Sequence, residues 1–450
     1  MRRKIYNELL DWKNNSKGSE AILIEGARRV GKSYIAEEFA KNNYKSYIII
    51  DFNKASDDVK NIFNNYLDRL DYFFEFISNY YGIKLYERDT LFIFDEVQLF
   101  PKARSAIKYL VADGRYDYIE TGSLISIKEN TKDILIPSEE RSIHLNPLDF
   151  EEFLWSMGEE TLFDLIRKLY NDHTKVEDLI HRKAMDLFKK YMIIGGMPQA
   201  VMKYLETKDF EETDKVKRNI LKLYREDIDK HALNYKMKVR ALFDEIPSQL
   251  SKHEKKFQIT SLYKDAKARD YEDAFMWLSD SKIVNMAYNT TEPTIGLKLS
   301  SDNSSYKMYM ADTGLLISHA FDEKGIVSNE VYKNILFDKL EFNSGMIMEN
   351  IVAQMLLASN HKLYFFSKYS KENSLNRMEI DFVITKENIG RRHNICAIEV
   401  KSTKNYTTSS LNKYKIKYKE QLGNSYIIHP GNYKEENGII YLPLYMTSLL

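Results

Sequence analysis

The stretch Gly26-Ala27-Arg28-Arg29-Val30-Gly31-Lys32-Ser33 sets two glycines with four residues between them and closes on a lysine and a hydroxyl. That pattern suits polyphosphate chemistry. Glycines let the backbone curl so that N–H groups point at anionic oxygens. A helix starting beside them adds the positive end of its dipole. The ammonium neutralises the β- and γ-phosphates, and the hydroxyl reaches a divalent cation. The context agrees, because the apolar run Ile22-Leu23-Ile24 precedes the loop and the helical stretch SYIAEEFAKN follows it. Gly26, Ala27, Arg28, Arg29, Val30, Gly31, Lys32, Ser33 and Tyr34 are therefore the expected ATP-binding segment.

A second chemical group lies downstream. Leu91-Phe92-Ile93-Phe94 reads as a buried strand that delivers Asp95 and Glu96 at its carboxyl end, the edge where open α/β sheets bind ligands. Asp95, with Ser33, is expected to hold Mg²⁺, and Glu96 to orient or activate the attacking water. Thr121 and Ser123 end the next strand, YIETGS, where they would sit beside Glu96 and sense a γ-phosphate. Arg141 precedes the fifth strand, where ring-forming ATPases place an arginine that reaches a neighbouring subunit's nucleotide.

A third group lies near the carboxyl end. Glu349 falls on the helix GMIMENIVAQMLLAS, Asp381 in MEIDFVI, and Glu399 and Lys401 in ICAIEVKS. Strand side chains alternate, so Glu399 and Lys401 share a face. Carboxylates beside a lysine can form a Mg²⁺ site in which the lysine positions water. This order of residues on helix, strand and strand resembles the PD-(D/E)xK nuclease fold. Cleavage is a separate matter, since such folds also serve as binding or scaffolding modules.

These groups need elements to position them. Five apolar runs, at 21–25, 46–50, 90–94, 116–120 and 141–145, alternate with helical stretches, the pattern of a parallel sheet covered on both faces. The expected fold is α/β: a P-loop ATPase core (1–148), a helical lid or linker (149–235), a winged-helix-like domain (236–320) and a nuclease-like α/β domain (321–450). In the third part, SDNSS (301–305) reads as a hairpin tip. A chain of 450 residues is long enough for several cores. Its 44% apolar and 29% charged content is that of a globular protein. No apolar run is long enough to span a membrane, and the stretch MRRKIYNELLDW is expected to be an amphipathic helix, not a secretory leader. Cys396 is the single cysteine, read as a buried strand residue, which leaves no intrachain disulfide. The cytoplasm is the expected location.

Equal counts of 66 basic and 66 acidic residues give no global pull toward nucleic acid. In the middle domain, the helix that would enter a DNA groove carries Asp270, Glu272, Asp273 and Asp280. Carboxylates repel phosphates, so this domain reads as a protein-packing module more than a base reader. Lys252, Lys255, Lys256, Lys264, Lys267 and Arg269 form a dense basic segment nearby, as readily a solvated face as a phosphate contact.

Taken together, GARRVGKS, FDEVQ with Gln98, ETGSL, LNPLDFEEFL, IIGGMPQAV, YMADTGLL, the helical Glu349, EIDFVI and IEVKS resemble a widespread prokaryotic family of AAA-type ATPases. Its C-terminal domain of unknown function combines a winged helix with a nuclease-like fold. The resemblance runs from about residue 20 to 402. It implies ATP binding and hydrolysis by Lys32, Ser33, Asp95 and Glu96, with no settled substrate. Glu140 stands where the family pattern leads one to expect glycine before Arg141. Three functions stay open: a switch or motor acting on DNA, an ATP-dependent nuclease, and a nucleotide-gated scaffold that binds a protein partner or its own copies.

Overall fold

The structure is a computed structural model. It describes the chain except residues 124–135, 233, 253–255, 263–266, 322–324, 326, 337–343, 370–376, 387–388 and 404–405. Of the basic segment, Lys255 and Lys264 lie outside the described residues. The chain forms two compact units, residues 1–146 with 280–282, and residues 147–279 with 283–450.

The first unit is built on a five-stranded sheet. Its strands are β1 (Ala21–Glu25), β2 (Ser46–Asp51), β3 (Thr90–Asp95), β4 (Asp117–Gly122) and β5 (Glu140–His144). They run in the order β2-β3-β4-β1-β5, and every pairing is parallel. The continuous apolar runs explain this for β1, β3 and β4, which are buried on both sides, while β2 and β5 at the sheet edges are partly exposed. Phe92 and Phe94 of β3 pack with Phe52, Phe63, Phe73 and Phe74 in one aromatic cluster. Neighbouring rings meet mostly edge-to-face, as Phe63 does with Phe73 at 5.0 Å.

The second unit begins with helices at Phe150–Ser156, Glu160–Asn171, Asp178–Ile194, Pro198–Thr207 and Phe210–His231. Aspartates start two of them. Asp149 and Glu152 form a reciprocal capping box, with Oδ1 accepting from Glu152 N at 2.9 Å and Glu152 Oε2 from Asp149 N at 3.2 Å. Asp209 accepts from Glu211 N and Glu212 N.

An eight-stranded sheet follows, from β6 (Val284–Thr290), β7 (Ser301–Met310), β8 (Tyr364–Lys368), β9 (Met378–Thr385), β10 (Ile395–Val400), β11 (Leu422–His429), β12 (Lys434–Glu436) and β13 (Ile439–Pro443). Its order is β12-β13-β11-β10-β9-β8-β6-β7. The β6–β7 hairpin expected in the middle domain is thus hydrogen-bonded through β6 to β8, with Tyr288 opposite Tyr364 and Asn289 opposite Phe365. SDNSS is not a hairpin tip. Ser301 and Asp302 pair with Thr290 and Asn289, and the connection is residues 291–300. The ladder is irregular there, and Asp302 Oδ1 accepts from Ser304 N at 2.9 Å. The polar composition that marks turns belongs here to a bulged strand. Cys396 is buried on β10, as expected.

Two motifs interlock in this unit. Gly195 has φ +83°, and an added Cβ would meet Asp312 Oδ1 at 2.3 Å. A Cβ on Gly314 would meet Ile194 O at 2.5 Å. The glycines of IIGGMP and DTGLL therefore let two backbones approach to contact. Asp312 is fully buried. It accepts from Gly196 N at 2.5 Å and from Leu315 N at 2.8 Å, which starts the helix Thr313–Ala320.

Lys217 of the helix Phe210–His231 is wholly buried nearby and donates to Ile193 O and to Tyr332 Oη, both at 2.9 Å. Burial pushes its ammonium down to about 8, against the opposing pull of the Asp214 and Asp312 carboxylates. An unfolded lysine still holds its proton up to the ordinary 10.5. The unfolded chain binds more protons between those values, so this group adds stability as pH rises through the window. Lys217→Met should remove that rise, at most on the order of 3 kcal/mol. Urea unfolding of both proteins across the window measures it, and equal slopes would show an ordinary lysine.

Candidate nucleotide site and C-terminal carboxylate cluster

Residues 26–31 leave β1 and curl into the helix Lys32–Asn43. Gly31 caps that helix with φ +98°, a left-handed conformation that a side chain would strain. A Cβ on Gly26 would meet Leu145 O at 2.4 Å, so the loop starts in close contact with the chain beyond β5. Lys32 is buried, and its Nζ donates to Gly26 O at 3.0 Å and Ala27 O at 2.9 Å. The ammonium thus lies inside the curl of its own loop.

β4 separates β1 from β3 in the sheet, and this brings the polar ends together. Ser33 Oγ donates to Asp95 Oδ1 at 2.7 Å, and Thr121 Oγ1 donates to the same oxygen. Burial raises the Asp95 carboxyl, the two hydroxyl donors pull it back, and the carboxylates of Glu96 and Asp51 raise it again. A hydroxyl and a half-buried carboxylate surrounded by negative charge form an oxygen-only donor set suited to a hard divalent cation. Glu96 has φ +54°. Its Oε2 accepts from Gln98 Nε2 at 2.6 Å and Ser123 Oγ at 3.2 Å. A non-glycine residue held left-handed at the carboxyl edge of the sheet is a strained conformation.

The structure thus brings together Lys32, Ser33, Asp95, Glu96, Thr121 and Ser123 along one edge of the sheet. It does not bring Arg141 there. Arg141 pairs in register with Ile22, three residues and roughly 10 Å short of the Glu25 end, and binds Glu20 at 2.9 Å. Glu140 has a structural task. Arg104 donates to its two oxygens at 2.9 and 2.7 Å, and its charge adds to burial in raising the carboxyl of Glu120. Arg28, Arg29 and Tyr34 lie in or directly after the loop, with Tyr34 exposed. Asp51 was not foreseen. It ends β2 opposite Asp95, and SYIIID carries the same signal, an apolar run closing on a carboxylate, as FIFDE.

The expected C-terminal set is arranged differently from the pattern in sequence. Glu349 lies on the helix Ser344–Ala358, and Asp381 on β9. Both approach Lys307 of β7, with Nζ 3.2 Å from Glu349 Oε1 and 3.9 Å from Asp381 Oδ1. Glu379, on the same face of β9 as Asp381, lies 2.9 Å from that Nζ. Tyr309 Oη donates to Glu349 Oε1 at 2.5 Å, and Val400 N to Asp381 Oδ2 at 2.8 Å. Glu399 is paired with Lys401 at 2.6 Å, and burial raises its carboxyl despite that partner. Among the described residues, no group of three or more His, Cys, Asp and Glu side chains is placed to hold a metal ion. Lys307, Tyr309 and Glu379 were missed. The available signal was a lysine and a tyrosine alternating on one face of the closing stretch of β7, KMYM.

Fold and loop together define an AAA-type P-loop domain. Residues 18–154 match the family model described as AAA domain. Residues 185–324 and 344–446 match two further models, each described as a domain of unknown function, DUF8612 and DUF4143. No curated protein gives a match. Solved structures similar to this chain include a Walker-type ATPase of Pyrococcus abyssi, 14% identical, covering 71% of this chain and 95% of that one, with a TM-score of 0.38. Another is the Aeropyrum pernix ORC1 protein in complex with DNA, 10% identical, with coverages of 72% and 94% and a TM-score of 0.29. AMPPCP-bound DnaA from Aquifex aeolicus is 12% identical, with coverages of 62% and 86% and a TM-score of 0.27. No helix among the described residues is long and apolar enough to cross a membrane.

Proposed function

We propose that this chain binds ATP with Mg²⁺ and hydrolyses it, coupling nucleotide state to its C-terminal modules. The observation that carries this is the convergence of Ser33, Thr121 and Asp95 on one point, with Glu96 as the next residue. Ser33 and Asp95 would hold Mg²⁺, which neutralises phosphate charge when bound. Lys32 would exchange its loop carbonyls for phosphate oxygens. Glu96 would take the proton of the attacking water, and Thr121 and Ser123 would fix the two carboxylates. Arg141 keeps a role only toward a neighbouring copy. Its distance from its own chain's loop favours that over action in cis.

The division after residue 148 into lid (149–235), winged-helix-like (236–320) and nuclease-like (321–450) parts belongs to this proposal, as does a cytoplasmic site of action. DNA is one candidate target, and the ORC1 complex with DNA concerns that protein alone. A nucleotide-gated scaffold is the second reading. It is favoured by Lys307 among the C-terminal carboxylates and by the acidic helix Glu272–Asp280. An ATP-dependent nuclease is the third.

The test is ATP binding and phosphate release by purified protein, with and without DNA, beside Lys32→Ala. The variant should bind nucleotide at least about tenfold more weakly, because a charge-assisted phosphate contact is lost. Wild-type protein that neither binds nor turns over ATP would overturn the proposal.

A further inference from the structure

A nuclease-like carboxylate cluster implies a divalent metal, and the residues present do not fit one. Three acidic side chains, Glu349, Glu379 and Asp381, surround Lys307 Nζ, and the fourth carboxylate of the region, Glu399, is paired with Lys401 at 2.6 Å. The inward oxygens of the first three already face a cation. Lys307 is 1% exposed, and its Nζ lies 2.9 Å from Glu379 Oε1 and 3.2 Å from Glu349 Oε1. A divalent ion needs carboxylate oxygens at about 2.0–2.6 Å. Bound to these oxygens, it would crowd a buried ammonium, and like charges repel. Two of these carboxylates hold a further donor, since Tyr309 donates to Glu349 Oε1, the oxygen that already faces Lys307, and Val400 N donates to Asp381 Oδ2.

Nor can the lysine swing away at little cost. It sits in the middle of β7, which pairs with β6 on both sides of it, and its Nζ lies 5.1 Å from the centre of the Phe365 ring. Burial alone would push the ammonium down, but the three carboxylates outweigh it and hold Lys307 above its ordinary value.

We propose that Lys307 is the resident cation of this cluster and takes the place of a divalent metal, so that the C-terminal module binds without cleaving. The inference rests on the nuclease-like reading only for the metal it replaces, and it is independent of ATP hydrolysis.

Manganese binding to the full nucleotide-free chain tests it, with free Mn²⁺ read by its electron paramagnetic resonance signal. Wild type and Asp381→Asn should take up the same amount of Mn²⁺, because no ion depends on Asp381. Lys307→Met should gain one Mn²⁺ per chain, lost again in the double variant Lys307→Met/Asp381→Asn. A wild-type ion that Asp381→Asn abolishes would overturn the proposal, and so would a folded Lys307→Met chain that gains none. Should Lys307→Met fail to fold, the wild-type comparison with Asp381→Asn still decides. ATP turnover, followed in parallel, reports on the other reading and can fail without affecting this one.

Discussion

Replacing Glu96 with glutamine should lower phosphate release by at least about a hundredfold while leaving ATP affinity within about threefold. General-base catalysis by a positioned carboxylate contributes roughly 10²–10⁴ in rate. Glutamine keeps the shape but cannot accept the proton. Binding should survive because Lys32 and Ser33 are untouched, with Lys32 Nζ held by Gly26 O and Ala27 O and Ser33 Oγ by Asp95. The carboxylate is also held in place, with Gln98 Nε2 at 2.6 Å, Ser123 Oγ at 3.2 Å and a left-handed backbone. Steady-state phosphate release and fluorescent-nucleotide titration on the two proteins decide it. Turnover within about threefold of wild type would remove Glu96 from the chemistry. Equal loss of binding and turnover would assign it a structural part instead.

The second large effect concerns stability. Asp312→Ala should destabilise the second unit by about 3–5 kcal/mol, seen as a lower urea midpoint. Three losses combine. The helix Thr313–Ala320 loses its N-cap, worth about 1 kcal/mol. Gly196 N is left buried without its acceptor, worth about 1–3 kcal/mol. Lys217, wholly buried, loses one of two carboxylates that favour its charge. A change below about 1 kcal/mol would mean that the Gly195–Gly196 turn and the 312–314 turn are held by packing alone.

Much of the first unit was legible. All five strands appear within two residues of the apolar runs that announced them, because buried parallel strands leave few other readings for such runs. The loop and the paired acids were legible for the same reason, since both need a strand end and a specific side chain. Strand order was not. Only the fold reveals that β4 comes between β1 and β3, which sets Thr121 against Asp95. Asp51 escaped because a single carboxylate after an apolar run is common until its neighbour is known. In the second unit the alternation of helices and strands near the carboxyl end was legible, while Lys307 was not. Its partners lie 42 to 74 residues away in sequence, on a helix and a strand, and no local pattern announces a buried ion pair of such separation. SDNSS misled because a bulged strand uses the same small polar residues as a turn.

The hydrogen bonds between β6 and β8 have a consequence for inheritance. Two family segments, 185–324 and 344–446, contribute strands to a single sheet. If recombination separated them, β6 on one piece and β8 on the other would each present a bare row of amides and carbonyls, and exposed edges of that kind recruit foreign strands. The two segments therefore have to travel together for the sheet to form. The five strands of the nucleotide-binding segment, by contrast, pair only with one another among the described residues, so their ladder needs no strand from the two C-terminal family segments.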